Sequence, residues 1–163
     1  MKKIILLTLL VIVIVVTGCE KENSSTSIRS PKKTVHEHCT RAGIMEDGEV
    51  SLQYDLYYTG ERLNILQSFE QVTSSNENTL DTYEQAYKGI HAHYKGLEYY
   101  DADVVRENTS VTSRITINYD KINLKKLLEI EGADDNIVEN GIPKVAKWKE
   151  LAERFGTSCQ VIE

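Results

Sequence analysis

Two histidines one residue apart, His36 and His38, are followed at once by Cys39 in the stretch "TVHEHC", the densest set of metal-capable side chains in the chain. Imidazole and thiolate are the usual ligands of zinc and copper. On a strand, side chains two apart share a face, so His36 and His38 could reach one metal ion while Cys39 points the other way. The remaining histidines, His91 and His93, fall in a helical pattern, where residues two apart stand about 200° apart and diverge. One of them meeting the strand pair would make a three-histidine site, with Asp101 or Asp103 as an oxygen donor. The plainer alternative is that exposed histidines at a domain edge are common and that two ligands alone hold a metal weakly. His36 and His38 are thus the metal candidates, and no cofactor is otherwise implied.

Little else is chemical. The acidic stretch "EIEGADDNIVEN" does not keep the alternate oxygen ligands, sixth-position glycine and twelfth-position glutamate of a calcium loop, so a solvated connection is expected. No nucleophile elbow, phosphate loop, dinucleotide fingerprint or His-Glu-x-x-His motif occurs. No catalytic residue is therefore proposed, and a non-enzymatic role is expected. The nine tyrosines include the adjacent pairs Tyr57–Tyr58 and Tyr99–Tyr100, each of which must expose one ring if it lies in a strand. Exposed rings suit ligand or protein contact, although tyrosine is also simply a good strand residue.

The elements that must position these groups follow from periodicity. "EVSLQYDLYY" alternates, with Val50, Leu52, Tyr54, Leu56 and Tyr58 on one face. A turn at Gly60 leads into a partner strand with Leu63, Ile65 and Phe69 at even spacing, predicting a hairpin over 49–74; "KTVHEHCT" is a shorter candidate strand before it. Leu80, Tyr83, Tyr87, Ile90 and Tyr94 recur at steps of three and four, predicting an amphipathic helix capped near Asn78 or Thr79 and stopped by Gly96. A second strand pair runs from Leu97 and through Val111, Ile115, Ile117 and Tyr119, turning at Asn108–Ser110. "NLKKLLEIEG" predicts a short helix. Pro143 opens another, with Val145, Trp148, Leu151, Ala152 and Phe155 as its buried stripe, and "SCQVIE" is a last strand. The expected fold is α+β: a single small domain with a mainly antiparallel sheet and helices packed on one face.

The chain begins with Lys2 and Lys3, an apolar run of 13 residues from Ile4 to Val16 broken only by Thr8, and then small residues up to Cys19. That is the plan of a signal peptide, too short for a permanent transmembrane helix, which needs about 20 residues. Val16, Thr17, Gly18 and Cys19 resemble the lipobox of bacterial lipoproteins, which implies diacylglycerol on the Cys19 thiol and cleavage before it. Acyl chains anchor at about 0.8 kcal/mol per buried methylene. The expected plan is a signal peptide over 1–18, lipidated cysteine and a polar, serine-rich tether over 19–33, and a folded domain over 34–163. The domain would then lie outside a bacterial cell membrane, held to it by lipid. Loss of Lys2 and Lys3 leaves 17 basic side chains against 25 acidic ones, a balance that argues against nucleic acid as a partner. With Cys19 assigned to lipid, Cys39 and Cys159 remain as an even pair, expected to form a disulfide that staples the ends of the domain.

Four segments, "YDLYYTGERLNILQSF", "HYKGLEYY", "SRITINYDKINLKKLLEIEG" and "ENGIPKVAKWKELAERFG", are similar in that order to the YehR-like bacterial lipoproteins. The resemblance covers roughly residues 44–156 and rests on patterned hydrophobics and a "TIxYDKI" strand end. It implies a small α+β lipoprotein domain and assigns no activity, because the family's function is unknown. "HEHC" lies outside that pattern. The expectation is a membrane-anchored envelope domain that binds a protein, peptide or small ligand, with metal binding through His36 and His38 as the alternative.

Overall fold

Alternation of apolar and polar residues makes β2 (Gly48–Thr59) a strand with one wet and one dry face, and Leu52 and Leu56 are buried on the dry one. The computed structural model describes residues 32–132 and 136–162. Before β2 comes β1 (Thr34–Met45), and after it β3 (Arg62–Ser74), α1 (Glu77–His93), β4 (Tyr100–Arg106) and β5 (Ser110–Asn118). Then follow α2 (Leu124–Glu131), the two-residue strands β6 (Val138–Glu139) and β7 (Ile142–Pro143), α3 (Val145–Arg154) and β8 (Ser158–Val161). Six strands form one sheet in the order β4-β5-β3-β2-β1-β8, and every pairing is antiparallel. The α+β architecture with helices on one face is the one the periodicity predicts.

The core lies between that face and the helices, in two clusters. Leu80 and Tyr87 of α1 pack on Val72 and Val111, while Leu127 of α2 and Val145 of α3 pack with Leu56, Leu63 and Ile117. Burying each such aliphatic side chain contributes about 1.5–3 kcal/mol. Cys39 and Cys159 face one another in the β1–β8 register and are joined by a disulfide across 120 residues. The short last strand is thereby fixed to the sheet's edge, a covalent closure worth about 4–5 kcal/mol in the chain-entropy account.

Several local expectations change. β1 is 12 residues long rather than a short piece around the histidines, because Glu46 and Asp47 turn it straight back onto β2. The Asp47–Gly48 dipeptide was the available signal. Gly48 is required there: a Cβ would lie 2.1 Å from the Thr73 carbonyl oxygen of β3. In β3, Tyr57 pairs with Ile65 but Tyr58 pairs with Leu63, so Asn64 is an extra residue. This bulge reverses the alternation. Leu63, Leu66 and Val72 are buried, whereas Ile65 and Phe69 move to the outer face, Phe69 under the Arg114 guanidinium at 5.7 Å.

The α1 cap is Asn76, whose side chain accepts from the Asn78 amide, two residues before the expected Asn78. Pro143 lies in β7 and α3 starts two residues later, with Lys144 at the cap position. Phe155 is not in the buried stripe: it follows the end of α3, is 67% exposed, and has Arg41 over its ring at 5.9 Å.

Candidate functional site

β1 places His36 and His38 together on the outer, helix-free face, and Cys39 on the inner one, as strand geometry requires. Asp55 of β2, the register partner of His38, lies between them: its Oδ1 is 2.8 Å from His36 Nε2 and 3.0 Å from His38 Nδ1. An ionised carboxylate only accepts, so both ring nitrogens donate. Burial works against the Asp55 charge, but the hydrogen bonds from His36 and His38 outweigh it and hold this carboxyl below its ordinary range. Tyr57 stacks on His36 with centroids 4.5 Å apart.

The three-histidine arrangement does not form. α1 packs on the inner face, where His91 is 3.0 Å from Ser113 Oγ and desolvation lowers its pKa. Asp101 and Asp103 are exposed on β4, with three strands between it and β1. Among the described residues, no group of three or more His, Cys, Asp and Glu side chains is gathered to hold a metal ion. Residues 133–135 of the acidic connection lie outside the described residues, as do Cys19, the segment expected as the signal peptide and the tether up to residue 31.

Sequence reasoning missed Glu37, which the same parity that turns Cys39 inward also turns inward. It is 2% exposed, with Lys149 Nζ 2.7 Å from Oε1 and Tyr58 Oη donating to Oε2 at 3.1 Å. The bond to Glu37 holds the Lys149 ammonium above its ordinary pKa, against the effect of desolvation. This pair locks α3 to β1 and leaves no free group for chemistry.

A hollow among the described residues was also not foreseen. It is a cleft of about 650 Å³ on the inner side, between the C-terminal ends of α1 and α2 and the middle of α3. Leu66, Ile117 and Tyr119 of the sheet side form its floor; Ile90, His93 and Tyr94 close one side, Ile130 and Glu131 another, and Trp148 a third. Ile90, expected in the buried stripe of α1, is 50% exposed because it stands at this opening. Tyr94 stacks on Tyr100 at 4.3 Å and donates from Oη to Glu131 Oε1 at 3.4 Å. Glu131 is an exposed residue, yet packing around its carboxyl removes water and raises its pKa, opposed only by that hydrogen bond. Desolvation likewise raises Tyr94, Tyr100 and Tyr119, with the Glu131 charge adding to it. Nothing here pairs a nucleophile with a base. The arrangement can bind.

Of the adjacent tyrosines, Tyr57 is committed to His36, and Tyr99, which lies in the turn before β4 rather than in the sheet, carries Lys121 Nζ at 5.6 Å, so both rings are engaged within the chain. The rings that line the cleft are Tyr94, Tyr119 and Trp148.

The architecture defines an α+β domain with one helix-covered antiparallel sheet. No family model matches the chain, and no curated protein matches it. Among solved structures it is similar to the NMR structure of E. coli YehR, with a TM-score of 0.54 and 15% identity over 82% of this chain and 96% of that one. The NMR structure of a protein from Streptococcus pneumoniae TIGR4 matches over 98% of this chain and 99% of its own, with 16% identity and a TM-score of 0.49. The first likeness shows that this chain has the YehR-like fold. Neither structure's description states an activity.

Proposed function

We propose that this chain is a lipid-anchored, extracytoplasmic binding domain without enzymatic activity, and that the α1–α2–α3 cleft is where it takes a small ligand. The observation that carries the reading is the cleft itself. Its volume of about 650 Å³ falls within the roughly 300–1,000 Å³ of small-molecule sites, and its lining has the usual composition of apolar and aromatic walls with a few polar groups. The chain's single tryptophan, Trp148, stands in that lining and reports on it directly.

The test uses a neutral fluorescent aromatic probe, N-phenyl-1-naphthylamine, excited by energy transfer from Trp148. One saturable site per chain, weakened at least tenfold by Ile90→Asp or Ile130→Asp, is the expected result. No saturable uptake, or uptake indifferent to both substitutions, overturns the cleft as the site. The lipid anchor rests on the lipobox-like Val16–Cys19 and is tested separately by Cys19→Ser. Membrane association is expected to be lost; a chain that stays membrane-bound and uncleaved at the same size overturns it.

A further inference from the structure

We infer that the ligand of this cleft is an organic cation with an apolar body, its ammonium head set among Tyr94, Tyr119 and Trp148 with Glu131 as counter-charge. The inference rests on the cleft being the binding site and goes on to name what enters it.

Four observations converge. Three aromatic rings line one small space, and ring faces carry negative quadrupole potential that attracts alkylammonium groups by about 0.5–2 kcal/mol. Among the described residues, Glu131 is the single carboxyl in the lining, and no lysine or arginine lines the cleft to oppose it. Both helices whose ends frame the opening arrive by their C-termini. Tyr94 is the cap residue of α1, and Glu131 is the last residue of α2. A helix C-terminus presents about half a negative charge, and α2 has no basic residue in its last turn to cancel it. His91 and His93 do lie in the last turn of α1, and His91 is turned away to Ser113, so among the described residues His93 is the one lining side chain able to carry positive charge. Finally, the chain's formal net charge is −6, which favours the approach of a cation from a distance.

Neutral and anionic ligands of the same shape would fill the apolar walls equally well and would cover the Glu131 carboxyl without supplying a counter-charge. An unpaired desolvated charge is costly, and a cation relieves that cost. The carboxyl's raised pKa, caused by desolvation, agrees with a site that lacks its positive partner.

The deciding experiment compares two probes of one shape, (4-hydroxyphenyl)trimethylammonium and its neutral isostere 4-tert-butylphenol. They are titrated into the full chain carrying Cys19→Ser, with the Cys39–Cys159 bridge oxidised, at pH 8 and followed by Trp148 emission. Binding of the cation about tenfold tighter than the isostere is expected, falling to within about threefold in Glu131→Gln. Circular dichroism confirms that the variant is folded. Equal affinity for the two probes overturns the cation while leaving the cleft as a ligand site. No response to either probe overturns both. A preference that survives Glu131→Gln overturns the assigned counter-charge.

Discussion

Asp55 and Glu131 are carboxylates on opposite sides of one sheet, and their surroundings push them in opposite directions. On the outer face Asp55 has two imidazole donors within 3.0 Å and is held in its charged form. On the inner face Glu131 has one long bond from a tyrosine and is pushed toward its neutral form by lost hydration. A charge with two close donors is compensated within the chain, whereas Glu131 beside the cleft has only one long hydrogen bond. Glu37 is the third case: more deeply buried than either, yet fully supplied by Lys149 and Tyr58. Partner supply, rather than histidine density, is therefore what separates the two carboxylates.

The strongest perturbation removes the tie that closes the inner side at the sheet's edge. Cys39→Ser with Cys159→Ser is expected to lower unfolding free energy by about 2–5 kcal/mol in urea denaturation. A loss under about 1 kcal/mol would show that β8 is held without its bridge. Next in size, Lys149→Met strands Glu37 in the core and is expected to cost about 2–3 kcal/mol. Asp55→Asn on the outer face is expected to cost less than about 1 kcal/mol, since partly exposed pairs contribute little. Similar values for these two substitutions would erase the distinction between the faces.

The finest test is pH. Asp55 is depressed below its ordinary 3.8, so the unfolded chain binds more protons at this group just below that value. Its stabilisation is present above that pH and is lost as pH falls through the lower folded pKa. Glu131 is raised above its ordinary 4.5, so the folded chain binds more protons there, and stability is lost as pH rises from about that value through the raised pKa. Urea unfolding from pH 3 to 7 should therefore show Asp55→Asn flattening the acid limb and Glu131→Gln flattening a decline above about 4.5. Effects of the same sign in both variants would break the comparison.

Much of this was legible in the chain. The alternation in β2 and β5 and the period of α1 gave the sheet and its main helix, because a half-buried element leaves its period in the residues. The parity of β1 also separated His36 and His38 from Cys39 correctly. It failed at β3, where one extra residue at Asn64 exchanges the faces of Ile65 and Phe69 with those of their neighbours. A bulge is a property of the pairing between two strands, and neither strand's own pattern announces it. Phe155 was misplaced for a related reason: α3 ends one residue before it, so the ring leaves the stripe.

By itself the sequence determined the six strands of the main sheet, the three helices, the cysteine pair and the α+β class, since these depend on near neighbours or on counting. Only tertiary structure decided that Asp55 would sit between the two histidines, that Lys149 would reach Glu37 across 112 residues, and that Tyr94, Tyr119, Glu131 and Trp148 would share one cleft. Those groups come from separate elements, and their charge states are set by the water each loses and the partner each gains when the helices close on the sheet.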